Sequence, residues 1–449
     1  MARKMRDSGV EWIGEVPEGW EITPLKKCFE KTFSGIWGTD AGVGEETVTC
    51  YRIADFNYAE GIVSTNKLTK RSYKCEELED KLVRKGDLLL EKSGGGDLNP
   101  VGRAVLVNHD DKATCSNFIQ ALRCNAECDE RFVCYMLQTS YSRGVNGLYY
   151  NQTIGIQNLQ VGKYLSIRLP MPHLPEQRRI ADYLDEKCGA IDAAITEAKK
   201  GIEEYKAWKK SLIFKAVTGK RRVGVFNAET QSRREAEKMK SSGIPWIGEI
   251  PEGWRVCRVK EVATIKTGNT PDKQYQNEYY STDSGVPWIK AENLGFMVPI
   301  SQTAEYLTEE GVKQGRIFPP RTVFVCCIAS IGKVGYSEKV ASCNQQLNAL
   351  VFNSRMYWKY GFYVTIAAEE EYLVRASGNV VKILNSSEQG LIAVPLPSIP
   401  EQQAIADYLD EKCAAIDAMV AEKEALIADL ESYKKSLIYE VVTGKREVA

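Results

Sequence analysis

The stretch PEQRRIADYLDEKCGAIDAAI begins at Pro175, and a near-copy, PEQQAIADYLDEKCAAIDAMV, begins at Pro400. Both stretches run on to a common end, KKSLIFKAVTGK at residues 209–220 and KKSLIYEVVTGK at residues 434–445. The two starts and the two ends are offset by the same 225 residues (175 to 400 and 220 to 445). A block repeated at this length without an insertion indicates an internal duplication into two copies, because solenoids have much shorter periods.

A second motif precedes each block. Residues 8–20 are SGVEWIGEVPEGW, and residues 242–254 are SGIPWIGEIPEGW. Each half therefore consists of a short segment with two tryptophans, a long variable segment and a near-constant block. The charged stretch between the halves, residues 221–240, has no apolar periodicity, which indicates a linker.

The near-constant blocks have the pattern of long helices. Proline suits the first turn of a helix and glycine the position after its end, and Pro175, Gly219, Pro400 and Gly444 stand at those places. Between them, apolar residues recur at alternating four- and three-residue steps, which is typical of a coiled-coil seam. The predicted seam residues are Leu184, Cys188, Ile191, Ile195, Ile202, Leu212, Leu409, Cys413, Ile416, Val420, Ile427 and Leu437.

The charges of the two blocks favour pairing with each other. Residues 175–222 carry twelve basic and eight acidic side chains, whereas residues 400–447 carry six basic and eleven acidic ones. Opposite net charges on similar helices favour the mixed pair over self-pairing, and a two-fold relation between the halves would make the pair antiparallel. Lys209 and Lys434 interrupt the apolar pattern. The alternative is two independent amphipathic helices, each packed on its own domain.

The variable segments have the pattern of mixed α/β domains. Residues 83–96 and 321–332 are each predicted to form a buried strand that runs into a glycine loop. A glycine followed by a cation comes next in both halves, at 102–103 and 332–333. Small residues let such a loop approach a phosphate closely, and the cation supplies charge. An ordinary hairpin is the structural alternative.

Amide-rich and polar turns supply further candidate contacts. Amides cluster after the glycine loops, at 151–152 and at 344–346, and amides of this kind can form two hydrogen bonds to adenine. The turn at 266–271 and the cation beside Trp288 are either phosphate or base contacts, or a plain loop and a core tryptophan. The candidate nucleic-acid contacts are Lys92, Ser93, Arg103, Asn151, Gln152, Thr153, Lys266, Thr267, Asn269, Lys290, Lys333, Gln345 and Lys382.

The composition excludes several classes of protein. Fifty-nine basic residues against sixty acidic ones exclude binding to nucleic acid or membrane through bulk charge, although local basic faces remain possible. His109 and His173 are the only histidines, which removes the usual general base. Thirteen cysteines, an odd number, fit a reducing cytoplasm better than a disulfide framework. No apolar run is long enough to span a membrane, so a cytoplasmic protein is expected.

Motifs for catalysis or metal binding are missing as well. The chain has no glycine-rich phosphate loop of the GxxxxGK[ST] type and no Asn/Asp-Pro-Pro-aromatic motif of adenine methylation. The nearest nuclease-like cluster, Asp87 with Glu91 and Lys92, has no acidic counterpart in the second half. The cysteines at 115, 124, 128 and 134 do not have the spacing of a zinc ribbon. No catalytic residue and no metal ligand is therefore predicted.

These repeated motifs resemble the specificity subunit of type I restriction-modification systems. The resemblance rests on the WIGE-x-PEGW segments at Trp12 and Trp246, on the PLP-x-IPEQ-x-x-IA-x-YLD stretch at Pro395–Asp410 with its sister at Pro170–Asp185, and on the VTGK ends. It implies an α/β (α+β) fold with two tandem target-recognition domains, joined by two long helices in an antiparallel coiled coil. The implied domain limits are residues 1–170 and 241–394 for target recognition, 171–222 and 395–449 for the spacer helices, and 223–240 for the linker.

The resemblance also implies a function without catalysis. The chain would read a bipartite, asymmetric site on double-stranded DNA and dock two methyltransferase subunits, through which restriction and translocase subunits join. S-adenosylmethionine, ATP and magnesium would then belong to the partner subunits, and this chain would need no cofactor. Two alternatives remain open: a single-chain DNA methyltransferase or nuclease with an unrecognised active site, and a coiled-coil scaffold.

Overall fold

The computed structural model describes residues 3–153, 155–223, 238–295, 297–378 and 381–448. The chain forms two compact units: unit 1 is Met1–Lys199 with Glu424–Ala449, and unit 2 is Lys200–Lys423. Among the described residues, no helix is both long and apolar enough to cross a lipid bilayer.

Unit 1 is built on a six-stranded sheet. Its strand Leu88–Glu91 is buried along its whole length and pairs antiparallel with a neighbour on each side. A continuous apolar run of this kind is expected of a strand that is covered on both faces. The order across the sheet is Phe29–Ser34, Ile119–Cys124, Leu88–Glu91, Ala104–Leu106, Ile62–Val63 and Phe56–Asn57.

Two smaller sheets, two separate strand pairs and several helices complete the described part of the domain of unit 1. A four-stranded sheet contains the parallel pair Ala113–Cys115 and Glu46–Tyr51, followed by Lys70–Tyr73 and Thr39–Asp40. A three-stranded sheet has the order Ser93–Gly94, Ile156–Leu159, Tyr150–Thr153. The remaining strands form two antiparallel pairs, Met5–Asp7 with Glu15–Pro17 and Glu21–Pro24 with Arg168–Met171. The helices are Leu25–Cys28, Ile53–Asp55, Cys75–Glu79, Glu130–Ser142, Val145–Leu148 and Val161–Tyr164.

Unit 2 repeats this plan with fewer strands. Its central strand Thr322–Cys326 is again fully buried. The order of the first sheet is Ala263–Thr267, Leu347–Phe352, Thr322–Cys326, Val334–Ser337, and that of the second is Tyr280–Ser281, Tyr306–Leu307, Val286–Ile289, Ala341–Cys343, Ile317–Phe318. The remaining strands form two antiparallel pairs, Met239–Ser241 with Glu249–Pro251 and Arg255–Arg258 with Ala393–Leu396. The helices are Val259–Val262, Lys273–Tyr275, Gln276–Tyr279, Ala291–Asn293, Glu309–Gln314, Trp358–Ala367, Glu369–Arg375 and Ser386–Gly390.

A pair of glycines shows that the variable segments are also copies of one fold. A Cβ atom on Gly35 would lie 2.2 Å from the carbonyl oxygen of Cys115, and one on Gly268 would lie 2.2 Å from that of Cys343. Both glycines end the edge strand of the first sheet, where a neighbouring backbone passes too close for any side chain. The sequence similarity that predicted the duplication lies outside these segments, so the duplication extends through the whole of each half.

The two near-constant blocks form helices of 44 residues each, Leu174–Val217 and Ile399–Val442. At 1.5 Å per residue, each helix is about 65 Å long. Both begin one residue before the predicted proline. The predicted fold class, mixed α/β domains in two copies with two long helices, is confirmed.

Each unit contains a segment of both long helices. In unit 1 the first part of helix Leu174–Val217 packs with the last part of helix Ile399–Val442, and in unit 2 the last part of the former packs with the first part of the latter. This is the pairing of antiparallel helices. Of the predicted seam residues, ten are buried, namely Leu184, Cys188, Ile191, Ile195, Ile202, Leu212, Leu409, Cys413, Ile416 and Leu437, whereas Val420 and Ile427 are half-buried.

The glycines at the helix ends serve two purposes. Gly219 and Gly444 have φ angles of 74° and 72°, a left-handed conformation that stops a helix. A Cβ atom on either would lie 2.4 Å from the Cδ of a proline in a tryptophan-bearing segment, Pro251 for Gly219 and Pro17 for Gly444. The first long helix therefore ends against the tryptophan-bearing segment of the second half, and the second long helix against that of the first.

Residues 224–237, most of the predicted linker, lie outside the part of the chain that the structure describes. At its end, Met239 and Lys240 already form part of the strand that pairs with Glu249–Pro251.

Candidate nucleic-acid interface

One face of unit 1 brings several predicted contacts together with residues that were not predicted. The backbone N–H of Lys92 donates to the carbonyl oxygen of Phe118 at 2.9 Å, and its Nζ donates to Ser34 Oγ at 2.6 Å. Burial lowers the pKa of Lys92. The loop that contains Phe118 therefore lies directly beside the predicted contact Lys92.

A cleft of about 460 Å³ opens on this face. Its lining includes Trp37, Arg52, Asn117 and Phe118. Trp37 is 41% exposed and Phe118 47% exposed, so both rings present apolar surface at the cleft. The guanidinium of Arg71 lies 4.6 Å from the centre of the Trp37 ring and holds that ring in place from one side.

The arginine of the cleft is oriented by a buried carboxylate. Arg52 donates from Nη2 to Asp55 Oδ1 at 2.9 Å and from Nε to Asp55 Oδ2 at 3.2 Å. Asp55 is only 5% exposed. Among the described residues, Nη1 of Arg52 has no hydrogen-bond acceptor, so a directed donor remains available at the cleft.

The hairpin next to the cleft carries the other predicted polar residues of this half. Ser93 Oγ donates to Asn158 Oδ1 at 2.6 Å, and Asn151 Oδ1 accepts from Gln160 Nε2 at 2.8 Å. Asn151 and Gln152 are exposed. The backbone of Thr153 ends the strand Tyr150–Thr153, while its side chain lies outside the described part of the structure.

Arg103 does not line this cleft. Its Nε donates to Glu91 Oε2 at 3.0 Å, and its guanidinium stacks 3.8 Å from the centre of the Tyr58 ring. Burial raises the pKa of Glu91 although Arg103 opposes this shift. Arg103 lines a second cleft, of about 880 Å³, between the domain and the long-helix segments of unit 1. Its first role is thus to neutralise a buried acid.

In unit 2 the predicted turn residues form one connected group. Asn269 Nδ2 donates to the carbonyl oxygen of Gln314 at 2.7 Å, and its Oδ1 accepts from the backbone N–H of Arg316 at 2.6 Å. Thr267 Oγ1 donates to Asn348 Oδ1 at 2.8 Å. Gln345 is exposed and accepts a hydrogen bond from the hydroxyl of Thr270.

Lys290 lies next to this group and is paired with an acid. Its ammonium contacts Glu305, which also accepts from Lys273 and from Gln276 at 2.9 Å each. Burial alone would raise the pKa of Glu305, but these hydrogen bonds outweigh it and lower the pKa to about 2. Trp288 is buried, with the Lys290 ammonium 4.9 Å from its ring centre, so it is a core residue. The other predicted cations, Lys266, Lys333 and Lys382, are exposed.

The glycine–cation steps occupy the same place in both copies. In the central antiparallel pairs, Leu90 faces Ala104 and Val325 faces Val334, so Arg103 and Lys333 directly precede equivalent residues.

The two amide clusters found in the sequence do not occupy equivalent places in the two copies. The backbone N–H of Asn344 donates to the carbonyl oxygen of Ile289, and that of Ser116 donates to the carbonyl oxygen of Tyr51. The loop 344–346 is therefore equivalent to the loop 116–118 and not to residues 151–152. Cys115 and Cys343, which directly precede the two loops in the sequence, were the signal that could have aligned them.

The glutamine of each PEQ motif fastens the long helix to its domain. Gln177 Nε2 donates to the carbonyl oxygens of Pro172 and Glu127, and its Oε1 accepts from the backbone N–H of Asp129. Gln402 is buried in the same way, with three equivalent hydrogen bonds to Pro397, Arg355 and Tyr357.

The aspartate of each YLD motif makes a second attachment. Asp185 accepts from the Tyr135 hydroxyl and Asp410 from the Tyr363 hydroxyl, both at 2.7 Å. A cation one helical turn before each tyrosine, Arg131 or Lys359, pairs with the same aspartate. The motifs that repeat in the sequence are therefore the joints between domain and helix.

The acids that could have served catalysis are used in structural ion pairs. Asp87 accepts from Arg123 at 2.7 and 2.8 Å, and Glu91 accepts from Arg103. Within the described residues, no group of three or more His, Cys, Asp or Glu side chains is arranged to hold a metal ion.

Comparison with known proteins identifies the family. Residues 51–204 and 251–427 match the type I restriction modification DNA specificity domain, which covers more than half of the chain in two copies. The chain therefore belongs to the family of type I restriction-modification DNA specificity proteins. Within that family it is a specificity subunit and not a catalytic one.

One curated relative and two solved structures match over nearly their full length. The specificity subunit of the type I restriction enzyme MjaVIII from Methanocaldococcus jannaschii is 26% identical, over 96% of this chain and 94% of its own. A chain solved in work on complex assembly and conformational transition of the type I R-M system shares the fold, with a TM-score of 0.71 at 16% identity over 96% of this chain and 99% of its own. The HsdS subunit from Thermoanaerobacter tengcongensis has a TM-score of 0.50 at 15% identity, over 96% of this chain and 98% of its own.

Proposed function

We propose that this chain reads a bipartite, asymmetric DNA site, with one half-site read by each variable domain. The observation that carries the proposal is the presence of two copies of one domain, each fastened to a long helix by the same glutamine and aspartate. The joints are alike, whereas the exposed loops differ in sequence. Two domains that are attached in the same way but carry different exposed loops would select two different short DNA sequences, which makes the site asymmetric.

The long helices are proposed to fix the gap between the half-sites. Each is one uninterrupted helix of 44 residues, stiffer than a loop of the same length. Adding one base pair to the gap would turn one half-site by about a tenth of a turn relative to the other. The gap length would therefore be part of the specificity.

The helices are also proposed to dock two methyltransferase subunits. Trp208 and Tyr433 stand at equivalent positions, offset by 225 residues, and both are half exposed on a long helix. Exposed aromatic side chains of this kind anchor protein interfaces. Two equivalent anchors fit two copies of one partner, and the restriction and translocase subunits would join through those partners.

The chemistry is proposed to reside in the partners. S-adenosylmethionine would serve the methyltransferase subunits, while ATP and magnesium would serve the restriction subunits. All thirteen cysteines are free thiols, which supports the cytoplasm as the place of action.

Exchange of one domain tests the independent reading of half-sites. Residues 24–169 begin and end in the paired strands Glu21–Pro24 and Arg168–Met171, so they can be replaced as a unit by the same segment of another family member. In complex with its methyltransferase partner, the hybrid should recognise a new first half-site and keep the second one. Loss of specificity at both half-sites would refute independent reading.

An insertion tests the role of the helices. Four residues added after Lys199, in the interior of the first long helix, should change the gap that is recognised or abolish binding. Unchanged gap and affinity would contradict the proposal. The same four residues inserted after Gly42, in an exposed turn of unit 1, provide the control.

A further inference from the structure

We propose that the bases of one half-site are read by the cleft of Trp37, Arg52, Asn117 and Phe118 in unit 1, and those of the other by Thr270, Lys290, Gln345 and Gln346 in unit 2. The inference rests on the proposed function and assigns residues to it. Most of these residues were not among the sequence-predicted contacts.

The two sets occupy the same positions of the duplicated fold. In the parallel pair of unit 1 Cys115 faces Tyr51, and in that of unit 2 Cys343 faces Ile289. Arg52 follows Tyr51 and Lys290 follows Ile289, so these two cations are equivalent. The loops 116–118 and 344–346 follow the two cysteines and are equivalent as well.

Further backbone hydrogen bonds complete the correspondence. The N–H of Ile36 donates to the carbonyl oxygen of Cys115 at 2.8 Å, and that of Asn269 to the carbonyl oxygen of Cys343 at 3.0 Å. The residues that follow, Trp37 and Thr270, are therefore equivalent.

The basic residue of each set is suited to base edges more than to phosphates. Arg52 is paired with Asp55 and Lys290 with Glu305. The nearby carboxylate cancels the long-range attraction to phosphate, whereas it holds the cation in a defined direction. Directed donors of this kind recognise guanine in the major groove, and amides such as those of Asn117 and Gln345 recognise adenine.

The apolar residues differ between the two sets. In unit 1, Trp37 and Phe118 expose apolar surface that can pack against a thymine methyl group or a base face. In unit 2 their equivalents are the polar Thr270 and Gln346, and Thr270 is hydrogen-bonded to Gln345. One scaffold thus presents an aromatic set and a polar set at the same place, which is the arrangement expected if the two half-sites differ in sequence.

The test maps methylated adenines in cells that carry the full chain with its methyltransferase partner. Phe118→Ala and Asn117→Ala should relax one or two base positions of one half-site by roughly 5- to 100-fold in discrimination, and leave the other half-site and the gap unchanged. Gln346→Ala and Gln345→Ala should relax the other half-site in the same way. Leu148→Ala, which removes an exposed apolar side chain of unit 1 outside the cleft, should leave the motif unchanged.

Three outcomes overturn the assignment. They are an unchanged motif in all four variants, equal relaxation of both half-sites by a variant of one unit, and loss of all methylation by every variant although the proteins fold. The last result would mark these loops as a docking surface for the partner. A wild-type chain that yields no two-part motif would instead refute the proposed function, so the two failures are distinguishable.

Discussion

An ion pair within the helix seam of unit 1 should stabilise the fold more than its equivalent in unit 2. Lys434 Nζ lies 2.7 Å from both carboxylate oxygens of Asp192, and it also donates to the carbonyl oxygen of Ala59 at 2.6 Å. In unit 2, Lys209 Nζ lies 2.6 and 2.7 Å from the oxygens of Asp417. The distances within the two ion pairs are nearly the same, so the pairs differ in the exposure of the aspartate and in the extra hydrogen bond from Lys434 to Ala59.

The exposure of the aspartate determines how much stability is lost when its lysine partner is removed. Asp192 is 27% exposed and Asp417 47% exposed at the side chain, while both lysines are largely buried. In Lys434→Ala, a mostly buried carboxylate loses its partner, which should cost about 2 kcal/mol. In Lys209→Ala the carboxylate left behind is screened by water, and about 0.5 kcal/mol or less is expected.

Urea and thermal unfolding, followed by tryptophan fluorescence, measure the difference. Lys434→Ala should lower the melting temperature of unit 1 by roughly 4–8 °C and Lys209→Ala that of unit 2 by roughly 2 °C or less. Hydrogen exchange along the two long helices assigns each loss to its unit. A double-mutant cycle of Lys434 with Asp192 should give a coupling of about 1–2 kcal/mol. Equal losses for the two lysines, or a coupling near zero, would refute the reasoning.

Three further predictions concern other positions. Because the pKa of Glu305 falls from an ordinary 4.5 to about 2, the stability that its carboxylate contributes is complete above pH 4.5 and is lost as the pH falls towards 2. When unfolding is measured at decreasing pH, the free energy of unfolding should therefore fall more steeply in the wild type than in Glu305→Gln, and parallel curves would contradict this. Gly444→Ala should destabilise the protein by more than about 1 kcal/mol in thermal unfolding, because the φ angle of Gly444 is 72° and a proline lies close to the new Cβ. Gly189→Ala lies at a helical position with no atom within 4 Å of the new Cβ and should stabilise the protein by roughly 0.5–1 kcal/mol. The same sign for both variants would be inconsistent with the structure. Gln402→Leu should lower the free energy of unfolding in urea by about 2–3 kcal/mol through the loss of three buried hydrogen bonds, whereas Gln403→Leu at the exposed neighbouring position should change it little. Similar values for the two variants would contradict the role of Gln402 in attaching the long helix to its domain.

The parts of the fold that the sequence predicts are those in which local pattern decides structure. The heptad spacing, the prolines at 175 and 400 and the glycines at 219 and 444 specify two long helices to within one residue at the start. The two copies of the tryptophan-bearing segment reveal the duplication. The opposite charges of the two blocks favour pairing with each other, and a two-fold relation between the halves makes that pairing antiparallel.

The candidate site was less predictable because it depends on contacts between distant segments. Trp37 and Phe118 are far apart in sequence, and a strand pairing and a loop bring them to one cleft. Arg52 has an ordinary sequence context, and only the buried Asp55 gives it a direction. The loop 344–346 is rich in amides, whereas its equivalent 116–118 contains one amide, so strand register and not composition shows that the two loops correspond.

The central claim is that two copies of one domain read two different half-sites at a fixed separation. Its most direct test is a genome-wide map of methylated adenines in cells that carry this chain with its methyltransferase partner, compared with cells that lack the chain. The account predicts a single two-part motif, with two different short sequences separated by a gap of constant length. A short uninterrupted motif, or a gap that varies from site to site, would contradict it.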